Sequence, residues 1–322
     1  MKNIRCIFCN KSSNQVVIEE NGYEGRKCPN CNLIYVSPRP SFSQIQNLYS
    51  HDQAHISAES HISASFSKRL YAKHNLEIIK RFLKSGSILE IGAGAGYFLD
   101  EARGEGFKVY SIELNSIHAD FIRSKLGIPC EESPLDASSF DGKKFDIIYH
   151  CDVLSHFYDP ITEFKKINSA LRGNGIIVFE TGNFGDVKKR YYRLFEKFQY
   201  PDHLFFFGEN SLKELLRLTG FKLIRIYRYS ILPQVLIFRM LRRAIDFIRS
   251  QEENKNVGGN SITTVLYPNV KRFSFQKLVR DIYAYFFYVI RYKIGYVMPK
   301  KGRPQTVIVI AQKASDLLSS LQ

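Results

Sequence analysis

The spacing of apolar and polar residues predicts a strand, a tight turn, a helix and a second strand near the middle of the chain. Residues 87–91 have the pattern of a short buried strand, and residues 92–96 alternate glycine with alanine. Residues 97–102 then carry the apolar spacing of a helix, and residues 108–112 return to a strand pattern. Strand, glycine turn, helix and strand in this order make half of a βαβ nucleotide-binding unit.

Further periodicity predicts the elements on either side of this unit. An amphipathic helix is expected over residues 66–82, and two more strands over residues 221–227 and 306–311. The long segment between those two strands has apolar residues at helical spacing, which predict two helices joined by a glycine-rich turn at residues 257–260. The two helical stripes consist of Leu232, Val235, Leu236, Ile245 and Ile248, and of Leu278, Ile282, Tyr285, Phe286 and Val289.

Composition is that of a soluble globular protein with enough chain to bury a full core. The 322 residues are 44% hydrophobic and 24% charged, which excludes wholesale disorder, collagen-like repeats and a coiled-coil rod. No stretch approaches the ~20 apolar residues that a spanning helix needs, which excludes a multipass membrane protein. The first residues lack the apolar core of an export signal, so we expect a cytoplasmic protein.

Four of the six cysteines form two identical pairs. Cys6 and Cys9 are separated by two residues, as are Cys28 and Cys31, and 18 residues lie between the pairs. In a cytoplasmic chain this spacing predicts a zinc ribbon rather than a disulfide framework. Four sulfur ligands leave no open coordination position, so the zinc is expected to be structural. Four reduced cysteines without a metal are the alternative.

A polar stretch containing three histidines follows the predicted ribbon. His51 and His55 are four residues apart and could share a helix face as a second metal site, with His61 nearby. No carboxylate or further ligand repeats with them, so a linker or a cap over a neighbouring cleft is the favoured interpretation.

Positive charge is concentrated in one part of the chain. The formal net charge is +15, and sixteen basic residues against four acids between Arg225 and Arg303 contribute +12 of it. Basic residues interleaved with apolar helical stripes fit contact with an anionic membrane or with a lipid-linked acceptor. A lid over the substrate cleft or a dimer face, with the cations merely solvated, is the slightly favoured interpretation, because charge runs usually are solvated faces.

Several motifs resemble those of one enzyme family. Glu90-x-Gly92-x-Gly94-x-Gly96 looks like motif I of the class I S-adenosylmethionine-dependent methyltransferases, whereas the dinucleotide fingerprint would need glycine where this chain has Tyr97. Further segments resemble, in order, the fourth strand with its following loop, the turn into the fifth strand, and the region leading to the sixth. These segments are residues 145–157, 171–180, 202–207 and 211–221.

The resemblance implies a Rossmann-like seven-stranded α/β methyltransferase sheet, with an N-terminal zinc ribbon and a helical insertion before the last strand. The domain boundaries expected on this basis divide the chain into a ribbon, a linker with one helix, the core, the basic insertion, and the last strand with its tail. These are residues 1–40, 41–84, 85–230, 231–304 and 305–322.

A cofactor site is also implied by the resemblance. The glycine turn would lie under the methionine part of S-adenosylmethionine, with Glu90 near its amino group, Glu113 on the ribose hydroxyls and Asp152 bordering the site. The position of Glu113 at the end of a strand, 17 residues beyond the last turn glycine, agrees with that role. The full set of expected cofactor-binding residues is Glu90, Gly92, Ala93, Gly94, Gly96, Glu113, Leu114, Asp136, Asp152 and Val153.

Methyl transfer needs a base for the acceptor proton, and the sequence offers His156, His203 and Glu180. The histidines fall in loops at the expected carboxyl edge of the sheet, although a structural role for each stays open. The acceptor expected from the resemblance is a small molecule: a sugar, a lipid-linked glycan or a lipid-like metabolite.

Two alternatives are an RNA methyltransferase and a non-catalytic cofactor-binding adaptor. The predicted ribbon has a net charge of only +3, which makes it a weak phosphate clamp. The loop after the fourth strand also lacks the Asn/Asp-Pro-Pro-aromatic pattern that resembles base-methylation sites. Nucleic acid is therefore the less favoured partner, and the oligomeric state stays open.

Overall fold

A computed structural model describes residues 1–50, 57–255 and 270–314. The strands are β1 Val16–Glu20, β2 Tyr23–Lys27, β3 Ile34–Val36, β4 Ser87–Ile91, β5 Lys108–Ile112, β6 Cys130–Glu131, β7 Phe145–Cys151, β8 Leu171–Gly182, β9 Phe205–Phe206, β10 Phe221–Ser230 and β11 Gln305–Lys313. The helices are α1 Phe42–Ser50, α2 Ala58–Ser63, α3 Ser65–Ile79, α4 Tyr97–Gly104, α5 Ser116–Phe121, α6 Ser139–Gly142, α7 Pro160–Ala170, α8 Glu209–Leu218, α9 Leu232–Lys255, α10 Val270–Tyr288 and α11 Gly295–Val297.

The predicted Rossmann-like seven-stranded sheet is confirmed. Its strand order is β10-β11-β8-β7-β4-β5-β6, in which β8, β7, β4, β5 and β6 run parallel. Strand β11 alone runs antiparallel to its neighbours and lies between β10 and β8. The chain leaves β4 toward β5 on one side and returns to β7 on the other, so a topological switch point lies at the carboxyl ends of β4 and β7, where ligands of such sheets bind.

The core strands are buried because helices cover both faces of the parallel part. Every residue of β4 is buried, and so is the central run of β8. The turn expected at residues 171–175 falls within the bounds of β8. Phe145 pairs with Leu171 and Ile147 with Ile176, so the residues between Leu171 and Ile176 bulge out of the pairing with β7.

The N-terminal ribbon forms a second sheet, of order β1-β2-β3-β9. Strands β1 and β2 make a hairpin whose turn contains Gly22 at φ +78°. Its fourth strand, β9, comes from the core segment that follows the candidate base His203, and it pairs antiparallel with β3. The ribbon is therefore joined to the core by the pairing of β3 with β9, and not only by the linker that follows it.

Two long helices, α9 and α10, make up most of the segment between β10 and β11. Within the parts of the chain that the structure describes, no helix is both long and apolar enough to cross a membrane. After α10 the helix widens into a π-helical turn, Val289–Ile294, before the chain enters α11. The glycine-rich turn predicted at residues 257–260 lies outside the described residues, as do His51 and His55.

Candidate active site

The turn after β4 is the centre of the candidate site, and its shape depends on glycine. Gly92 and Gly96 have φ of +67° and +71°. A Cβ at Gly92 would lie 2.7 Å from Val153 Cγ2, and one at Gly96 would lie 2.8 Å from Ile122 Cγ1. Side chains are therefore excluded both by backbone conformation and by close packing. Ala93, between the two, is half-buried.

Glu113, at the end of β5, lies against this turn. Its Oε2 accepts a hydrogen bond from Gly94 N at 2.7 Å, and its Oε1 accepts one from Asn115 N at 2.9 Å. The side chain is buried, and burial raises its pKa. The carboxylate that was expected to meet the ribose is thus held by backbone amides beside the turn, while the next residue, Leu114, is exposed.

Glu90 is buried within β4, and its Oε2 has no hydrogen-bond partner among the described residues. Burial, followed by the charge of Glu113, raises the pKa of Glu90 well above its ordinary value. An unpaired carboxylate in such a place is costly unless a cation or donor meets it. This orphaned oxygen fits the amino group of a bound cofactor at the carboxyl edge of the sheet.

The loop after β7 forms the opposite wall. Asp152 has φ +55° and donates its backbone N–H to Glu180 O at 2.9 Å. The side chain of Asp152 is open to solvent, yet desolvation by the surrounding protein, followed by the charge of Glu180, raises its pKa. A carboxylate that is both accessible and desolvated is typical of a cleft. Val153 packs against the glycine turn, as described above.

Asp136, expected near the adenine, lies on the exposed turn before α6. Its Oδ1 accepts hydrogen bonds from the backbone and hydroxyl of Ser138, both at 2.8 Å. Those bonds lower its pKa. The structure therefore gives this carboxylate a turn-capping role, and no contact links it to the glycine turn in the described residues.

The candidate bases His156 and His203 come together, with ring centroids 4.6 Å apart. His156 Nδ1 lies 3.1 Å from both the backbone O and the Oδ1 of Asp202. His203 Nδ1 lies 3.1 Å from Phe198 O. Because these partners only accept, Nδ1 of each neutral ring must carry the proton, and Nε2 carries the lone pair. A histidine oriented by a carboxylate in this way is the arrangement of a general base.

Glu180 has a different environment from the two histidines. It is 1% exposed, and Arg291 Nη2 donates to its Oε1 at 2.7 Å. Asn75 Nδ2 donates to its Oε2 at 2.8 Å, and Tyr292 Oη contacts both oxygens at 2.9 and 3.0 Å. This carboxylate is committed to a buried ion pair that ties α3 and the π-helical turn to the end of β8.

The four ribbon cysteines also converge. The Sγ atoms of Cys6, Cys9 and Cys28 all lie within 4.8 Å of one another. Cys31 Sγ lies 3.6 Å from Cys6 Sγ, and Cys9 Sγ lies 3.6 Å from Cys28 Sγ. Ligands at the usual zinc–sulfur distance in a tetrahedron are about 3.8 Å apart. The donor set and the spacing therefore fit zinc.

Sequence reasoning missed four residues of this region. Asp202 orients His156, while Asn75, Arg291 and Tyr292 surround Glu180. The adjacency of Asp202 to His203 was a signal that could have singled out the aspartate. The other three approach Glu180 from distant segments, and no local pattern marks them.

A family profile described as a methyltransferase domain matches residues 63–226, just over half of the chain. Among curated proteins, a tRNA U34 carboxymethyltransferase from Helicobacter hepaticus is 27% identical over 112 residues, which cover 31% of this chain and 36% of that protein. The chain thus matches little more than a third of that relative's length.

Solved structures with a similar fold include a cyclopropane synthase from Mycobacterium tuberculosis. It is 15% identical, with a TM-score of 0.46 over 76% of this chain and 84% of that one. A phosphoethanolamine N-methyltransferase from Haemonchus contortus, in complex with S-adenosyl-L-methionine, is 17% identical, with a TM-score of 0.45 over 87% of this chain and 62% of that one.

Proposed function

Since the chain belongs to the methyltransferase-domain family and is an S-adenosylmethionine-dependent methyltransferase, we propose that it methylates a small-molecule acceptor with His156 as the base. The observation that carries this proposal is the pairing of His156 with Asp202, whose Nδ1 and Oδ1 atoms lie 3.1 Å apart. His156 belongs to the loop that borders the glycine turn. The acceptor class we propose is a sugar, a lipid-linked glycan or a lipid-like metabolite.

The residues at the carboxyl edge of the sheet have different roles in this proposal. Bound S-adenosylmethionine supplies an electrophilic methyl carbon. Gly92, Gly94 and Gly96 would let that cofactor approach the backbone, Glu90 would offer its Oε2 to the amino group, and Glu113 would bind the ribose hydroxyls. Ala93, Leu114, Asp152 and Val153 would line the same cleft.

His156 would take the acceptor proton at Nε2, because Asp202 holds the proton of the neutral ring on Nδ1. The carboxylate of Asp202 also stabilises the imidazolium that forms. His203 would help to position the acceptor, and the ion pair of Glu180 with Arg291 leaves that carboxylate a supporting role.

Aromatic side chains next to His203 support an acceptor with an apolar or ring-shaped face. His203 meets Phe206 edge-on, with centroids 5.6 Å apart. Phe184 and its partly buried neighbours form a cluster with Phe206 that extends from the ribbon to residues 184–206. Sugars and lipid-like molecules pack well on such surfaces.

The outward face of α10 supports a lipid-linked acceptor reached at an anionic membrane. Six large apolar side chains recur on one helical face there, between 44% and 60% exposed, and together present roughly 500 Å². Lys277, Arg280 and Lys293 flank them, so the surface complements a bilayer with acidic headgroups. The six are Leu278, Val279, Ile282, Tyr283, Tyr285 and Phe286.

We propose that this face rests on the inner surface of the membrane. Vesicles containing phosphatidylglycerol should co-sediment with the protein, whereas vesicles of phosphatidylcholine alone should not, and salt should weaken the binding. Ile282→Glu should abolish sedimentation, and Glu105→Gln on the exposed end of α4 should not. Equal binding to both vesicle types, or a dimer in solution that Ile282→Glu dissociates, would overturn the membrane assignment.

The ribbon cysteines are proposed to hold one structural zinc. Metal analysis should give about one zinc per chain. Cys28→Ser should lose it, while Cys130→Ser, outside the cluster, should keep it. Zinc that stays bound in Cys28→Ser would contradict the assignment.

The catalytic proposal is tested with labelled methyl transfer to cell extracts. Calorimetry should show that S-adenosylmethionine binds to wild-type protein, that Glu113→Ala loses this binding, and that Glu132→Gln, on the exposed surface, retains it. Lipid, glycan and tRNA fractions are then offered separately. The tRNA fraction is included because one relative, which matches part of this chain, is a tRNA carboxymethyltransferase.

His156→Asn should lower transfer at least about 100-fold with cofactor binding unchanged. Label entering tRNA alone would refute the acceptor class. Full activity of His156→Asn would refute the choice of base.

A further inference from the structure

We propose that the zinc ribbon is a wall of the acceptor site and that it sets the positions of His156 and His203. This inference rests on the proposed function for the role of the two histidines. The ribbon contacts that support it are backbone and side-chain hydrogen bonds to the two segments that carry those residues. Glu20 and Asn21, on the β1–β2 hairpin, are the positioning residues that we assign.

The first connection is the strand pairing between ribbon and core. Ile34 pairs with Phe206 and Tyr35 with Phe205. Val36 N then donates to Leu204 O at 3.0 Å, which extends the pairing to the residue after His203. Strand β3 is fully buried, with β2 on one edge and β9 on the other, so this pairing is shielded from solvent.

The second connection passes from β9 to the loop after β7. Leu204 N, whose carbonyl is bonded to the ribbon, donates to Ser155 O at 2.8 Å. Ser155 precedes His156, and Asp202 orients the His156 ring. Leu204 therefore connects β3 both to the segment that carries Asp202 and, through Ser155, to the loop that carries His156.

The third connection is a carboxylate clamp on the segment before His203. Glu20 accepts the backbone N–H of Phe198, at 3.1 and 3.0 Å, and that of Tyr200, at 2.9 Å. Asn21 Nδ2 donates to Tyr200 O at 2.7 Å. The carbonyl of Phe198 in turn fixes the His203 ring, so the hairpin tip of the ribbon determines where that ring lies.

Arg39, where the ribbon ends, holds the far end of the histidine loop. Its guanidinium lies 3.8 Å from the centre of the Tyr158 ring, and its Nη1 donates to Tyr158 O at 2.9 Å. The side chain is buried. Residues 155–158 are thus held by Arg39 of the ribbon at one end and by Leu204, next to β9, at the other. These contacts restrict the movement of the two imidazoles, whose ring centroids are 4.6 Å apart.

A zinc ribbon commonly serves as a separate module that recruits partners. In this protein, however, β3 is paired on both edges, and the tip of the β1–β2 hairpin is hydrogen-bonded to residues 198–200 of the core. Zinc would then act at a distance, by fixing the register of β3 against β9. Loss of the ribbon contacts should disturb the acceptor side and leave the glycine turn unaffected.

The test uses full-length zinc-loaded protein and two readouts that need no acceptor. Nitrogen-15 spectra report the tautomers of His156 and His203, and amide exchange reports the order of residues 198–206. In Glu20→Ala we expect the amides of Phe198 and Tyr200 to exchange about tenfold faster. The His203 signals should move away from the Nδ1–H form. Glu19→Ala, whose side chain is exposed one residue earlier, is the matched control and should show neither change.

Asn21→Gly is a second variant in case Glu20→Ala fails to fold, because Asn21 has φ +52°, which glycine accepts without strain. It removes the bond to Tyr200 O and should speed exchange across residues 198–203. Unchanged tautomers and exchange in the folded variants would overturn the inference. Calorimetry of S-adenosylmethionine separates this failure from a failure of the proposed function, since that binding should be the same in all variants.

Discussion

His150, at the end of β7, provides the most quantitative test of this structure. The ring is fully buried and stacks on Phe179, with centroids 5.0 Å apart at an angle of 16°. Phe157 and Phe164 meet it edge-on. Neither ring nitrogen has a hydrogen-bond partner among the described residues, and burial lowers the pKa of His150 to about 3.

The sign and size of the pH effect follow from that value. In the unfolded chain the imidazole titrates near 6.5, so below this pH the unfolded state binds a proton that the folded state refuses. Stability is complete above pH 6.5 and falls by about 1.4 kcal/mol for each further unit of pH, until the folded pKa is reached. Between pH 7.5 and pH 5.0 the loss attributable to His150 is about 2 kcal/mol.

His150→Phe keeps the ring stack and removes the titration. Urea unfolding at intervals from pH 7.5 to pH 5.0 should therefore give a pH dependence about 2 kcal/mol shallower than that of the wild type. Lower pH is avoided because protonation of the ribbon thiolates would release zinc. At pH 7.5 the variant escapes two unsatisfied polar atoms but gains ring volume, so only the pH dependence is diagnostic.

His74→Phe is the matched control, because His74 is also buried, with its pKa lowered to about 4, but bonds through Nε2 to Tyr229 Oη at 3.0 Å. It should show a similar change of slope and, unlike His150→Phe, should lose about 1 kcal/mol at pH 7.5 from the missing bond. Parallel pH curves for wild type and His150→Phe would refute the reasoning that His150 is a neutral, unpaired core residue.

Three further predictions concern the contacts that join the parts of the molecule. Arg291→Met should lower the free energy of unfolding in urea by about 3–5 kcal/mol, because it leaves the Glu180 carboxylate buried without its cation. Exposed Arg280→Met should change it by less than about 0.5 kcal/mol, and equal values would contradict the ion pair's importance. Gly25→Ala should destabilise the ribbon by about 1–3 kcal/mol, since the new Cβ would lie 2.1 Å from Tyr200 Oη. Adding Tyr200→Phe to Gly25→Ala should recover most of the lost stability, as measured by thermal unfolding. If it recovers none, the clash lies elsewhere. Stripping zinc with a chelator should lower the melting temperature of wild type but not that of Cys28→Ser, and an equal drop in both would show that the chelator acts at another site.

Local patterns were enough to predict the elements of the core. The glycine turn, the strand before it and the antiparallel pair β10 and β11 lie where apolar spacing and turn residues placed them. These features depend on short-range physics: strand alternation, helical period and the backbone freedom of glycine. The cysteine pairs likewise meet, because their spacing is dictated by one small cluster.

Features that depend on contacts between distant segments were not predictable. Strand β9 is only two residues long and pairs with a strand about 170 residues earlier, so no periodicity reveals it. Glu180 was a candidate base in the sequence, but in the structure Arg291 and Asn75 converge on it from segments more than 100 residues away. Four residues of the stripe predicted on α10 face solvent, whereas Val289 is half-buried and the neighbouring Phe287, Ile290 and Tyr292 are buried.

The position of β11 has a consequence for how the protein reaches its native state. Strand β11 fills the gap between β8 and β10, and it follows the whole insertion in the chain. During synthesis, the edges of β8 and β10 that pair with β11 stay unpaired until the ribosome has added about 75 residues after β10. Unpaired strand edges of this kind are prone to aggregation. The insertion is therefore made before the core can close, and an mRNA truncated ahead of β11 should yield a chain that chaperones and proteases recognise as unfinished.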